Sequence, residues 1–203
     1  MAYLKLFIFG QPRLEVDGEP IELNLRKALA LLAYLTASGQ PHSRDALATM
    51  LWPESDGREG RGRLRRTLHR LQQAIGDDIL DSDSEAICMS PGADLWLDSN
   101  AFRQEVTAGL AAQKNTNDRI VRLNAAVALY TQDFLAGFTL PDSPAFDEWQ
   151  FFQRESLRQL YGQALEQLVQ TYRAWQEWDQ AVAYGRRWVT LDPLHEPAQR
   201  LLM

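Results

Sequence analysis

A single cysteine, Cys88, stands among 203 residues, so no intramolecular disulfide can form and no cysteine set exists to hold a structural metal. Its place in the apolar run Ala86-Ile87-Cys88-Met89 makes it a small buried hydrophobe rather than a nucleophile. Histidine is almost as scarce: His42, His69 and His195 lie in different segments with no acidic or cysteine companion at ligand spacing, and no metal site is expected. Long hydrophobic runs are missing too. The longest, Ala28 to Leu35, falls far short of the roughly 20 residues that cross a bilayer. The opening Met1-Ala2-Tyr3-Leu4-Lys5 lacks the basic segment and cleavage site of an export signal. No membrane association and a cytoplasmic location are the expectation. Phosphate-loop and nucleophile-elbow patterns are absent. The carboxylates are too numerous for any one spacing to name an acid–base pair, so neither catalysis nor a cofactor is expected.

Positive charge is also in deficit, with 21 Lys and Arg against 27 Asp and Glu and a formal net charge of -6. Residues 1–98 hold 11 basic and 15 acidic side chains, and residues 99–203 hold 10 and 12. Neither half can coat nucleic acid nonspecifically, and any contact with a polyanion must be local. One stretch supplies such a locality. Arg58, Arg61, Arg63, Arg65, Arg66 and Arg70 fall within 13 residues, opposed by Glu59 alone. The same stretch carries Leu64, Leu68, Leu71 and Ile75 at the spacing of a helix with one buried face. A docked basic helix suits the DNA major groove, where guanidinium groups pair with phosphates or with guanine O6 and N7. A charge run is otherwise a solvated helix face, so its neighbours decide.

Those neighbours order themselves as sheet, three helices, then hairpin. Tyr3–Phe9, Arg13–Val16 and Ile21–Leu23 read as strands, the last two joined by the turn signal Asp17-Gly18. Leu25 to Thr36 reads as a helix stopped by Ser38-Gly39-Gln40-Pro41. Ser43 caps a short second helix through Met50, closed by Trp52-Pro53, and the arginine helix follows from 58 to 75. Ile79-Leu80, Ala86–Met89 and Leu95–Leu97 read as two or three short strands around Asp81-Ser82-Asp83-Ser84-Glu85. From Asp98 onward only helices are expected, over 101–112, 118–130, 143–175 with a break near Gly162, 178–191 and 197–203. Leu165, Leu168, Tyr172, Ala181, Tyr184 and Leu191-Asp192-Pro193 follow the spacing of one tetratricopeptide unit. One such unit and an abrupt helical tail imply a piece of a longer chain. Trp96, Trp149, Trp175, Trp178 and Trp188 are expected to fill the helical core. The fold class is thus mainly α with a small β component: a winged helix-turn-helix with an N-terminal antiparallel sheet over residues 1–97, and an all-α tetratricopeptide-like bundle over 98–203.

Leu31-Leu32-Ala33-Tyr34-Leu35, Ser43–Leu47, Leu51-Trp52-Pro53 and Leu64–Leu71 through Ile75-Gly76-Asp77-Asp78 resemble the OmpR-type winged helix of antibiotic-regulator (SARP-type) transcription activators. Phe134-Leu135-Ala136-Gly137, Phe146-Asp147-Glu148-Trp149 and Leu191–Glu196 resemble the bacterial transcriptional activator domain of the same proteins. The resemblance implies a sequence-specific activator that reads double-stranded promoter DNA, arranged as direct repeats, as a homodimer on DNA, and that contacts RNA polymerase through its helical half. It implies Arg63, Arg66 and Arg70 at base edges or inner phosphates and Thr67 and His69 on phosphates; Gln73 shares the face opposite the buried stripe, Arg61 belongs to the same interface, and Arg44, at the start of the second helix, is placed to clamp a phosphate. Arg26 and Lys27, at the start of the first helix, are further phosphate candidates. One feature departs from the pattern: the wing carries Asp81, Asp83 and Glu85, which repel phosphate. With the negative net charge, this leaves a rival reading open, a protein-interaction adaptor of a larger signalling chain without specific DNA binding.

Overall fold

Alternation of apolar and polar side chains builds the first sheet. Strands β1 (Tyr3–Phe7), β2 (Arg13–Val16) and β3 (Glu19–Ile21) form an antiparallel meander in which Leu4, Leu6 and Leu14 point to the buried face. Asp17 (φ 52°) and Gly18 (φ 87°) make the two-residue turn, and the Asp17 carboxylate accepts the Tyr3 N–H at 2.8 Å. The computed structural model describes residues 3–113, 116–194 and 196–202, so the expectation that His195 binds no metal lies outside the described residues.

Helix α1 (Arg26–Ser38) buries Ala28, Leu31, Leu32 and Leu35 and stops at Gly39, whose φ of 62° a side chain would disfavour. Strand β4 (His42–Ser43) leads into α2 (Arg44–Leu51), whose Ser43 cap accepts the Ala46 N–H, and then α3 (Gly57–Ile75), capped by Asp56 through the Glu59 N–H at 2.7 Å. Strands β5 (Leu80–Ser82) and β6 (Ala86–Met89) form the wing hairpin, with β4 on the other edge of β6. Strand β7 (Asp94–Leu97) leaves the wing and pairs parallel with β1, so the N-terminal sheet is mixed, in the order β3-β2-β1-β7. Cys88 on β6 is half-buried.

Packing divides the chain into two units: residues 1–98 with 134–152, and residues 99–133 with 153–203. In the first, segment 134–152 straps across the winged helix. Leu135 N–H donates to Ile8 O at 2.7 Å beside a Phe9–Phe134 bridge, and the turn that follows uses φ of 51° at Leu135 and 76° at Gly137. Buried Gln150 fixes that turn by donating to the carbonyls of Leu135 and Phe138. Trp149 meets Tyr34, Phe134 and Phe146 with ring centroids 4.9, 5.6 and 5.3 Å away. The apolar residues Phe134, Leu135, Phe138, Leu140 and Phe146 are all buried by this docking.

The second unit is helical: α4 (Asp98–Ala111, from Ser99), α5 (Asn117–Leu129), α6 (Pro144–Ala174, from Gln153), α7 (Trp178–Leu191) and α8 (Glu196–Leu202). Helix α4 touches α5 at Gly109, where an added Cβ would lie 2.7 Å from Leu123 Cδ2. Tyr130 stacks on Tyr161 and Tyr172 on Tyr184, with Asn124 bridging the last two hydroxyls. The expected break near Gly162 does not occur. Helix α6 runs through it, since a helix interior tolerates a single glycine at a cost of about 1 kcal/mol, and Leu191 and Trp188 of α7 pack over that position, 3.6 and 3.7 Å from where a Cβ would lie. The tryptophans do not share one core. Trp188 is buried in the helical unit, but Trp149 and Trp96 serve the first unit, the latter packing edge-on against Phe7. Trp178 is 59% exposed, since α6 ends at Ala174 and Trp178 begins α7 just beyond the reversal at Gln176.

Candidate nucleic-acid interface

Helix α3 owes its placement to Leu64, Leu68, Leu71 and Ile75, all buried, and to Gly60, which is buried where α2 crosses. A Cβ on Gly60 would stand 3.5 Å from Ala48 Cβ, so the two helices of the helix-turn-helix approach closely there. The buried stripe leaves Arg61, Arg63, Arg65, Arg66, His69, Arg70 and Gln73 exposed and Thr67 half-buried. Arg44 is half-buried at the start of α2.

The arginines then separate into two groups. Arg61 makes a bidentate ion pair with Asp45 of α2, and its guanidinium holds the Asp45 carboxyl below the ordinary range. Arg63 pairs with Glu59 one turn earlier, at 2.6 Å. By contrast, Arg58, Arg65, Arg66 and Arg70 have no carboxylate within ion-pair distance among the described residues.

A shallow hollow of about 480 Å³ opens beside α3 and is lined by Arg44, Arg65, Arg66, Leu68, His69, Gln72 and Ser82. It brings together Arg44, Arg66 and His69, three residues singled out from sequence, while Thr67, Arg70 and Gln73 lie outside it and Arg61 and Arg63 are engaged elsewhere. No carboxylate lines it. Sequence reasoning missed Arg65, Gln72 and Ser82. For Arg65 a signal existed, because it stands four residues before His69 and so shares that flank of the helix. For Ser82 there was none, since only the hairpin fold brings it there.

Arg44 ties this hollow to the wing. Its Nε donates to Asp83 O at 2.7 Å, and its backbone N–H donates to Glu85 O at 2.8 Å. Asp83 turns its carboxylate inward, accepting the N–H groups of Ala86 and Glu85 at 2.7 Å each, which holds its carboxyl below the ordinary range. Asp81 and Glu85 remain exposed at the tip. The two earlier cations are committed within the first unit: Arg26 donates to Thr139 O, and Lys27 donates to Leu51 O and Asp142. Lys27, with only 20% of its side chain exposed, is held away from a phosphate-clamping role, whereas Arg26 remains exposed. Among the described residues, no cluster of three or more His, Cys, Asp or Glu has metal-binding geometry, and no helix is long and apolar enough to cross a membrane.

A family model described as the bacterial transcriptional activator domain matches residues 97–203. No curated protein matches the sequence. Among solved structures, the chain superposes on Mycobacterium tuberculosis EmbR in complex with a low-affinity phosphopeptide with a TM-score of 0.78 at 20% identity. That match covers 100% of this chain and 54% of the EmbR chain, so the sequence spans about half of EmbR's length, and at this identity the likeness is one of fold.

Proposed function

We propose that this chain, which belongs to the bacterial transcriptional activator domain family, is a SARP-type transcriptional regulator that binds promoter DNA sequence-specifically through α3. The observation that carries this reading is a carboxylate-free hollow lined by three arginines and a histidine in a protein of net charge -6. So local a concentration of unpaired cations suits a backbone phosphate. In this reading Arg44, Arg65 and His69 take phosphates, and Arg66, Arg70 and Gln73 meet base edges in the major groove. Thr67 supports a phosphate contact, and Arg61 and Arg63 serve the interface indirectly through the pairs that brace α3. Residues 1–97 read the site and residues 98–203 carry assembly, dimerising on direct repeats and contacting RNA polymerase, in the cytoplasm and without enzymatic activity.

Selection of duplexes from a random pool by the full chain tests this. Recovery of one recurrent sequence, bound more tightly than its scrambled version, is expected. The acidic wing tip, Asp81 and Glu85, favours a second reading as a protein-docking adaptor. That reading requires the opposite result: no sequence enriched and no affinity for any duplex.

A further inference from the structure

The C-terminus of α2 is held by an unusual convergence. Leu51 O, one of the carbonyls that a helix end leaves without an internal partner, accepts from Lys27 Nζ at 2.6 Å and from Ser143 Oγ at 3.0 Å. Leu51 and Ser143 are fully buried. Lys27 also reaches Asp142 at 2.6 Å and lies 5.2 Å over the Trp52 ring, the residue that caps α2. Trp52 begins the short turn 52–56 into α3, so whatever fixes Leu51 and Trp52 fixes where the reading helix starts. Asp142 is the exposed member of the cluster, with 63% of its side chain accessible. Its carboxyl is held below the ordinary range mainly by the Lys27 hydrogen bond, with a further contribution from the charge of Arg63 on α3.

We propose that Asp142 is a positioning residue for DNA recognition: it orients Lys27 onto the end of α2 and so sets the entry of α3. The inference rests on the DNA-reading function proposed above. An ion pair with one largely exposed member contributes little to stability, so its role is in geometry rather than in holding the fold. Base readout depends on side chains placed to a fraction of an ångström, whereas attraction to phosphates tolerates a loose fit. The sign of the effect makes the role testable. Removing a carboxylate beside a DNA-binding helix ordinarily tightens binding to any polyanion.

The test uses the full chain with Asp142→Ala and Asp142→Glu, titrated on the duplex selected by the wild-type protein and on its scrambled version at one salt concentration, with thermal melts of each variant. For Asp142→Ala we expect a several-fold loss on the selected duplex, unchanged or slightly tighter binding to the scrambled one, and an unchanged melt. Asp142→Glu is expected to restore selectivity. Equal tightening on both duplexes would make Asp142 a mere electrostatic shield, and no change, or equal weakening, would equally overturn the proposal. A wild-type chain that binds neither duplex would instead remove the DNA-reading function itself.

Discussion

The two halves of α3 use the same residue for different ends. In the first half, Arg61 and Arg63 meet carboxylates of their own chain, Asp45 across the helix-turn-helix and Glu59 one turn back, while Arg58 in the first turn meets none among the described residues. In the second, Arg65, Arg66 and Arg70 face outward with no carboxylate partner among the described residues. A run of arginine is therefore not a set of equivalent ligands. Those within reach of a carboxylate brace the helix, and those beyond reach retain the capacity to meet a polyanion.

The largest effect should come from the second half. Arg70→Ala or Arg66→Ala is expected to cost about 1–3 kcal/mol on the selected duplex and to relax selectivity at one base position. Gel-shift titration on single-base variants of that duplex checks this, and equal loss at every variant would turn the residue into a phosphate contact. Arg61→Ala or Arg63→Ala should cost less, about 1 kcal/mol or below, as expected for exposed ion pairs. If Arg61→Ala matched Arg70→Ala, the division between the halves would fail.

Asp45→Asn frees Arg61 and should tighten binding to selected and scrambled duplexes alike, a smaller effect read by the same titration. Neutralising the exposed wing carboxylates with Asp81→Asn and Glu85→Gln should leave DNA affinity within about 0.5 kcal/mol. Marked tightening would place the wing tip against the duplex. The smallest expected effect is one of pH. Asp45, Asp83 and Asp142 all have carboxyls lowered from 3.8, so the stability they lend is complete above pH 3.8 and is lost as pH falls through their lower folded values. Melts in mildly acidic buffer should show no loss from these groups.

The period of 3.6 made α3 legible in the sequence, because Leu64, Leu68, Leu71 and Ile75 share a face whatever the rest of the fold does. The Glu59–Arg63 pair was legible for the same reason, lying one turn apart. Arg61–Asp45 was not, since it depends on how α2 crosses α3 at Gly60. Strand β4 is two residues long, too short to show a period, and the parallel pairing of β7 with β1 joins segments about 90 residues apart. The strap illustrates the same limit. Phe134, Phe138, Phe146 and Trp149 announce burial, but nothing in their spacing says that they are buried against Ile8, Phe9 and Tyr34 rather than among the later helices.

The most direct test of DNA recognition by the open half of α3 is the salt dependence of binding to the selected duplex, measured for the wild type, Arg65→Ala and Arg61→Ala. Each phosphate neutralised contributes roughly -0.9 to the log–log slope. Wild type should show a steep slope, Arg65→Ala a slope shallower by about one phosphate, and Arg61→Ala a slope close to wild type. Salt-independent binding, or a slope lost with Arg61 and kept without Arg65, would contradict it.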